Sequence, residues 1–493
     1  RQMCIRDSVY TEGQTDPMEE LFGLSEFAKA GVSASQNSGL MLKLDSCSEP
    51  AVNTYAGSGL RIDAKNDVEN NKVSANMGII YNGMDLVNLD LYYGDDTVMA
   101  AVPELSPKVF TLDFGEGLEE RLKNSPMLGS ALEQSGVDAS VMAEYMELLA
   151  EQARQTQEGQ AASFDLKALM KRYREGCKAE DDFKAALTVE KGEKASFTID
   201  GKEQACRGYE VTVSKEAMIN FLRTSSDFFL QDEVLKKDFL KRLELSVKLS
   251  QLAGAQMEGQ DFPTAQEMQE QTYEEARTEI DGMIAFLDSS LNDVSMTVYV
   301  DKEGCLASVK GTTSFNSTGS EAEPVQLQFG CELKGGAYPT QNMSAQAVLE
   351  NGAASVQIEA VKEGAYDGKE LTSGFELSIE NQGEIAEKWD ITLDSSYNSE
   401  GGGFDVQAAA AQDGMELLGF SAQGVVDELE QGKNIHLTLD SLDVSAMGDT
   451  GNAVLSGEYY IRPLTEEVVP LEGDTMDVLA AGEEELSLIH ISE

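Results

Sequence analysis

Between Ser295 and Pro463 the chain alternates apolar and polar residues, and short turns punctuate it at Lys302-Glu303-Gly304, Asn351-Gly352, Asp367-Gly368 and Asp413-Gly414. Alternation with a period of two sends successive side chains to opposite faces of a strand. Connections this short join antiparallel neighbours. The stretch therefore predicts about ten or eleven consecutive strands in a meander. A meander of that length either curls over helices or closes on itself, because a flat sheet leaves long edges unpaired. The same pattern runs from Ser38 to about Leu112. There Leu40, Leu42 and Leu44, then Leu60 and Ile62, then Val87, Leu89 and Leu91 alternate with polar neighbours, with turns at Asn82-Gly83 and Gly94-Asp95.

Helical spacing interrupts the strands. Asp16-Pro17-Met18-Glu19 reads as a capped start with proline at the first helical position, opening a short helix to about Ala30. From Gly115 to Cys177 apolar residues recur every three or four positions: Val141, Tyr145, Leu148 and Leu149 behind Asp138, then Leu166, Leu169, Met170 and Tyr173 behind Ser163. A β excursion follows, with Leu187 to Val189, Phe197 to Ile199 and the trio Tyr209, Val211 and Val213 arranged about a turn at Asp200-Gly201. Helices are then expected over Ser214 to Gln231, over Glu233 to Ala253, and from the capping box Thr264-Ala265-Gln266-Glu267 to about Leu291. The fold class is α+β: a large curved antiparallel meander, half-barrel-like, with helical insertions at about 116–177 and 214–292 packed on one face. Residues 9–294 form an α+β region. Residues 295–465 form the second meander, either continuing the same sheet or separate, and the acidic stretch 466–485 reads as a tail.

Charge and composition narrow the chemistry. The chain holds 88 acidic and 37 basic residues, a net charge of −51. Such a field repels nucleic acid and anionic bilayers and favours solubility or cationic partners. Of the two histidines, His490 lies at the extreme end and His436 in a strand-like run, where it reads as an outward-facing residue. Triads and histidine-metal sites need imidazoles beside other partners, and that inventory is missing. Gly192-Glu193-Lys194 and Asp367-Gly368-Lys369-Glu370 lack phosphate-loop spacing, and Gly57-Ser58-Gly59 lacks the third glycine of a dinucleotide fingerprint. Carboxylates alone do not make a glycosidase, and the single tryptophan, Trp389, offers no row of aromatic platforms. Acid clusters at Asp95-Asp96 and between Asp443 and Asp449 are compatible with calcium but unspecific. A non-enzymatic chain without a cofactor is expected.

Six cysteines are present, none in a C-x-x-C pair. A hairpin folded midway between Cys305 and Cys331, about Asn316 to Glu321, sets those two opposite each other, and Cys177 and Cys206 flank another hairpin-like segment. Disulfides and free buried thiols remain alternatives for these four. The helical insert offers a sharper feature, a stripe of Met218, Phe221, Leu222, Phe228, Phe229, Leu235, Phe239 and Leu243. Such residues either line an adaptable lipid pocket or pack the core where helices meet the sheet.

The leading helix, strands, helices and further strands, together with the Val298-Tyr299-Val300-Asp301-Lys302-Glu303-Gly304-Cys305-Leu306 hairpin, resemble the LolA, LolB and LppX type of lipoprotein carrier. The run Tyr92 to Leu105, ending Val102-Pro103-Glu104-Leu105, resembles a strand-turn-strand corner of membrane-anchored proteins of Gram-positive bacteria. Residues 1–8 (RQMCIRDS) and 486–493 (LSLIHISE) resemble translated sequencing adapter. These resemblances imply a fragment of an extracellular, membrane-anchored protein whose N-terminal anchor is missing, with lipid or another cell-envelope component as partner. Three readings follow: a binding or accessory module first, a lipid or amphiphile carrier second, and a structural or adhesive surface protein third.

Overall fold

The computed structural model describes residues 17–27, 34–126, 128–129, 132, 138–157, 166–254, 263–316, 324–338, 340–352, 354–383, 386–447 and 451–482. Both adapter-like ends, Asp16, Ala30, Ser163, the turn residues 317–321, Asp449 and residues 483–485 lie outside the described residues. In chain order the elements begin with helix α1 (Pro17–Phe22), strand β1 (Gln36–Cys47), helix α2 (Pro50–Asn53) and strands β2 (Gly59–Asp67), β3 (Lys72–Tyr81), β4 (Met84–Gly94), β5 (Thr97–Ala101) and β6 (Lys108–Asp113). Helices α3 (Leu118–Asn124), α4 (Ala139–Gln157), α5 (Leu166–Gly176) and α6 (Ala179–Ala186) lead to the hairpin β7 (Thr188–Ile199) and β8 (Lys202–Val213). Helices α7 (Lys215–Gln231), α8 (Glu233–Gly254) and α9 (Ala265–Ser290) follow.

The second meander comprises β9 (Val294–Val300), β10 (Leu306–Phe315), β11 (Val325–Gly335), β12 (Asn342–Asn351), β13 (Ala354–Tyr366), β14 (Glu370–Gln382), β15 (Ala386–Asn398), β16 (Gly403–Gln412), β17 (Met415–Glu430), β18 (Asn434–Ala446) and β19 (Gly451–Pro463), and β20 (Asp474–Asp477) closes the order. These eleven strands, β9 to β19, match the number expected from the alternation.

Local chemistry accounts for many element boundaries. Two-residue turns with left-handed backbone occur at Asn82-Gly83, Asp200-Gly201 and Asp413-Gly414, where Asn, Asp and Gly tolerate positive φ and match the twist of the flanking strands. Ser214 caps α7 by accepting from Ala217 N–H. Thr264 and Glu267 make the reciprocal capping box that opens α9. Helices α2 and α6 were not expected; α2 is too short to display an apolar period, and α6 carries only Ala179, Phe183 and Ala186 at helical spacing.

All twenty strands belong to one sheet. Its spatial order runs from β20 to β6, back through β5, β4, β3 and β2 to β1, across to β19, and then back in sequence to β7. Neighbours are antiparallel, except that β20 runs parallel to β6. The sheet is open: β20 and β7 stand at opposite edges and do not pair. The pairing of β1 with β19, from Gln36↔Pro463 to Cys47↔Ala453, makes the second meander a continuation of the first.

Two expectations are corrected. The stretch read as an acidic tail packs onto the fold, where Val468, Leu479 and Ala481 are buried and Asp474–Asp477 pair with β6. Its apolar residues are too sparse to show a period, yet these three find sockets while Val469 stays exposed. The five described cysteines are free. Cys331 stands opposite Val309, not Cys305, so the hairpin register differs by four residues from the one that faces the two thiols. Cys177 ends beside the Thr224 carbonyl while Cys206 is buried within β8.

The β1–β19 seam depends on a close approach on its polar face. Tyr460 lies across Gly39, its register partner, and donates to Asp63 Oδ1 at 2.8 Å. A Cβ on Gly39 would stand 2.2 Å from the Tyr460 ring. Burial first, and the Asp63 carboxylate second, push the Tyr460 hydroxyl up to about 12 from 10.0. Because the folded state holds this proton more tightly, the associated stability is present below pH 10 and lost as pH rises toward about 12. Gly39→Val is expected to destabilise the protein by about 1–3 kcal/mol, read as a lower urea midpoint. Tyr460→Phe is expected to remove part of the alkaline loss of stability between pH 10 and about 12. An unchanged midpoint in the first variant, or an unchanged alkaline profile in the second, would show that the seam does not rest on this contact.

Candidate functional site

Following the paired residues from strand to strand shows a sheet with two unlike faces. Leu437, Tyr459, Leu40, Ile62, Met77 and Leu89 form one row across β18, β19 and β1 to β4. Phe375, Leu393, Ala408, Phe420, Val444 and Ala453 form another across β14 to β19. The opposite face carries Asp394, Gln407, Ser421 and Asp443 across β15 to β18. It also carries Arg61, which reaches Asp85 at 3.2 Å and Asn88 at 3.1 Å. Since the side-chain period is two, one strict alternation produces both faces at once.

Helices cover the apolar face only in places. At the β6 edge, Leu112 packs with Leu118 and Leu122 of α3, Ala143 of α4 and Leu479. Near the other edge, Val211, Val213, Val298 and Val300 pack with Phe183 of α6 and Met218 of α7. The two helical groups meet where Lys248 of α8 pairs with Glu144 of α4 at 2.6 Å. Along one end of the strands, Leu21 and Phe22 of α1 join Leu371, Tyr397 and Val426, with Tyr366 of β13 and Leu437 of β18 packed against them. Five strand spacings separate β13 from β18, about 24 Å in a flat sheet, whereas a six-residue helix is about 9 Å long. Side chains from β13 to β18, Phe404 of β16 among them, join one cluster around this short helix, as a sheet curved toward its apolar side allows.

Between the covered zones the apolar face is open. Ile391 and Leu393 of β15 remain 40% and 43% exposed, and Leu418, Phe420 and Trp389 are also exposed. None of these belongs to a buried cluster among the described residues. Backbone donors and acceptors here are engaged in the ladders on both sides, so this surface offers a ligand dispersion and apolar burial rather than hydrogen bonds. Sequence reasoning saw the alternation but sought the site in the helical insert. The usable signal was the strands' own apolar half.

The helical stripe is dispersed among several contacts. Phe229, Leu235 and Phe239 line a cavity of about 350 Å³ together with Tyr273, Ala276 and Ile280, between α7, α8 and α9 rather than between helices and sheet. Met218 packs against the sheet. Phe221 contacts Phe183, and Phe228 contacts Tyr173 edge-on. Leu222 and Leu243 are half-buried and do not line that cavity. Asp232, at the α7–α8 junction, accepts a bidentate pair from Arg172 at 2.9 Å and caps Leu235 N–H. The Arg172 guanidinium holds its carboxyl below the usual carboxylate range. His436 faces the polar side, with Nδ1 2.6 Å from Asp427 and Nε2 3.6 Å from Glu458.

No family model matches the chain, and neither does a curated protein or a solved structure. Among the described residues no group of three or more His, Cys, Asp or Glu is arranged to hold a metal ion.

The open face and the α1-covered end should differ in their response to truncation. Ile391→Ser or Leu393→Ser is expected to cost below about 1 kcal/mol, because both side chains are already wet. Leu371→Ala should cost about 2–5 kcal/mol, because it empties a packed site. Urea denaturation checks this, and equal losses at the two sites would mean that the central face is covered.

Proposed function

We propose that this protein carries a lipid or other amphiphile, with the acyl portion lying along the open apolar face between the helix-covered zones. The observation that carries the reading is that face: the row Phe375, Leu393, Ala408, Phe420 and Val444 crosses five adjacent strands as apolar residues, with Lys362, Ser373, Ser395 and Gln412 at its margins, yet its middle is not packed. An open apolar surface of this extent calls for an apolar occupant. A chain lying there regains about 0.8 kcal/mol per buried methylene.

In this reading the sheet is a half-barrel and the helices a partial lid. The bend toward α1 and the Glu144–Lys248 contact between the two helical groups support an enclosed trough. The carrier reading, ranked second from the sequence alone, thereby gains residue-level support that the accessory and adhesive readings lack. An extracytoplasmic setting with a membrane tether belongs to the proposal as what the resemblance to lipoprotein carriers implies.

Native mass spectrometry of the chain, purified after exposure to phospholipid vesicles, tests the proposal. We expect a lipid adduct on the wild type and none on Ile391→Asp/Leu393→Asp, with unchanged far-UV circular dichroism. A bare mass for the wild type, or an adduct retained by the double variant, would refute a site on this face.

A further inference from the structure

The two ends of the strands are capped by unlike residues. At one end lie the β3–β4 turn, the α2 segment between β1 and β2, the paired ends of β18 and β19 at Ala446 and Gly451, and the β16–β17 turn. Met84, Met447 and Met415 project there, 68%, 72% and 62% exposed, and Tyr55 of the α2 segment is 61% exposed. At the other end the corresponding turns carry Glu69-Asn70-Asn71, Asp95-Asp96, Asp367, Lys369, Glu400 and Lys433. Two of the apolar tips directly follow turn pairs, Asn82-Gly83-Met84 and Asp413-Gly414-Met415. Nothing in hairpin chemistry requires methionine after such a turn, and a soluble tip normally ends in a polar residue.

We infer that this methionine- and tyrosine-tipped end docks on the surface of a lipid bilayer with electrically neutral headgroups. The tips belong to eight adjacent strands, β4 to β1 and β19 to β16, spanning about 34 Å. They form a line of separate projections rather than one flat patch. A folded partner would need a matching socket for each projection, whereas a fluid bilayer flows around them, and methionine adapts to irregular surroundings. Tyrosine suits the interface, where its ring is buried and its hydroxyl stays wet. Charge sets the lipid class: Asp85, Asp413 and Glu416 stand beside the tips on a chain of net charge −51, so anionic headgroups are repelled.

This inference needs only the tips and stands apart from the carrier reading. Flotation of the full chain with phosphatidylcholine vesicles tests it. We expect the wild type to float, Met84→Ser/Met415→Ser/Met447→Ser to lose about tenfold or more in partitioning, and Ile391→Asp/Leu393→Asp to float like the wild type. The tip residues are exposed, so the triple variant should keep its far-UV circular dichroism and urea midpoint. The inference fails if the wild type stays with the aqueous fraction, floats only with phosphatidylglycerol vesicles, or floats equally well without its tip methionines. It also fails if sedimentation shows that the tips join two copies of the chain.

Discussion

One largely apolar face, continuous across β1 to β4 and β14 to β19 of a single sheet, governs this structure. Alternation makes each strand two-sided, bulges as in β18 reset it, and antiparallel register aligns those sides from one strand to the next, so the apolar halves merge into one surface. Water penalises such a surface in proportion to its area. The sheet bends toward it, α1 fills one end, and the two helical groups sit over the zones near the edges. What they leave open is the part for which a ligand is proposed.

The helices and the seam serve that geometry differently. Without β1 paired to β19 the chain would hold two shorter sheets, each with an additional exposed edge. Gly39 permits the seam because Tyr460 occupies the space that a side chain would need. The polar face stabilises the same region through Arg61, Asp63, Asn88 and Tyr460, so a network on one side supports the apolar surface on the other. The edges are managed separately: four-residue β20 covers β6, and the β7–β8 tip bonds to the end of β11 through Asp200 and Lys334.

Much of this architecture is legible in local sequence, because period-two alternation, Asx-Gly turns and capping boxes act over a few residues. Thus β9 to β19, the turn at Asp200-Gly201 and the start of α9 at Thr264 stand where the sequence puts them. Long-range pairing leaves no comparable mark. No local pattern tells Leu40 that Tyr459 is its partner, or tells the sparse Val468, Leu479 and Ala481 that sockets await them. The Cys331 register depended on how many residues the turn consumes. The site was sought on helices because Phe and Met cluster there, whereas in strands the same apolar content is diluted by half and its continuity appears only when strands are set side by side.

In the proposed reading the open face and the apolar tips answer different physical demands, one for holding an acyl chain and the other for contacting the bilayer that supplies it. Their shared sheet explains how both arise from one meander: the strands' faces supply the trough and their turns supply the contact. The sole tryptophan, Trp389, lies on the trough face of β15 beside Gln412, which gives the central claim a direct optical test. Titrating the protein with a phospholipid brominated along its acyl chain, while following tryptophan emission, should show saturable quenching at a stoichiometric lipid ratio. Emission unchanged through saturating lipid would contradict the account, because no chain would then lie against this face.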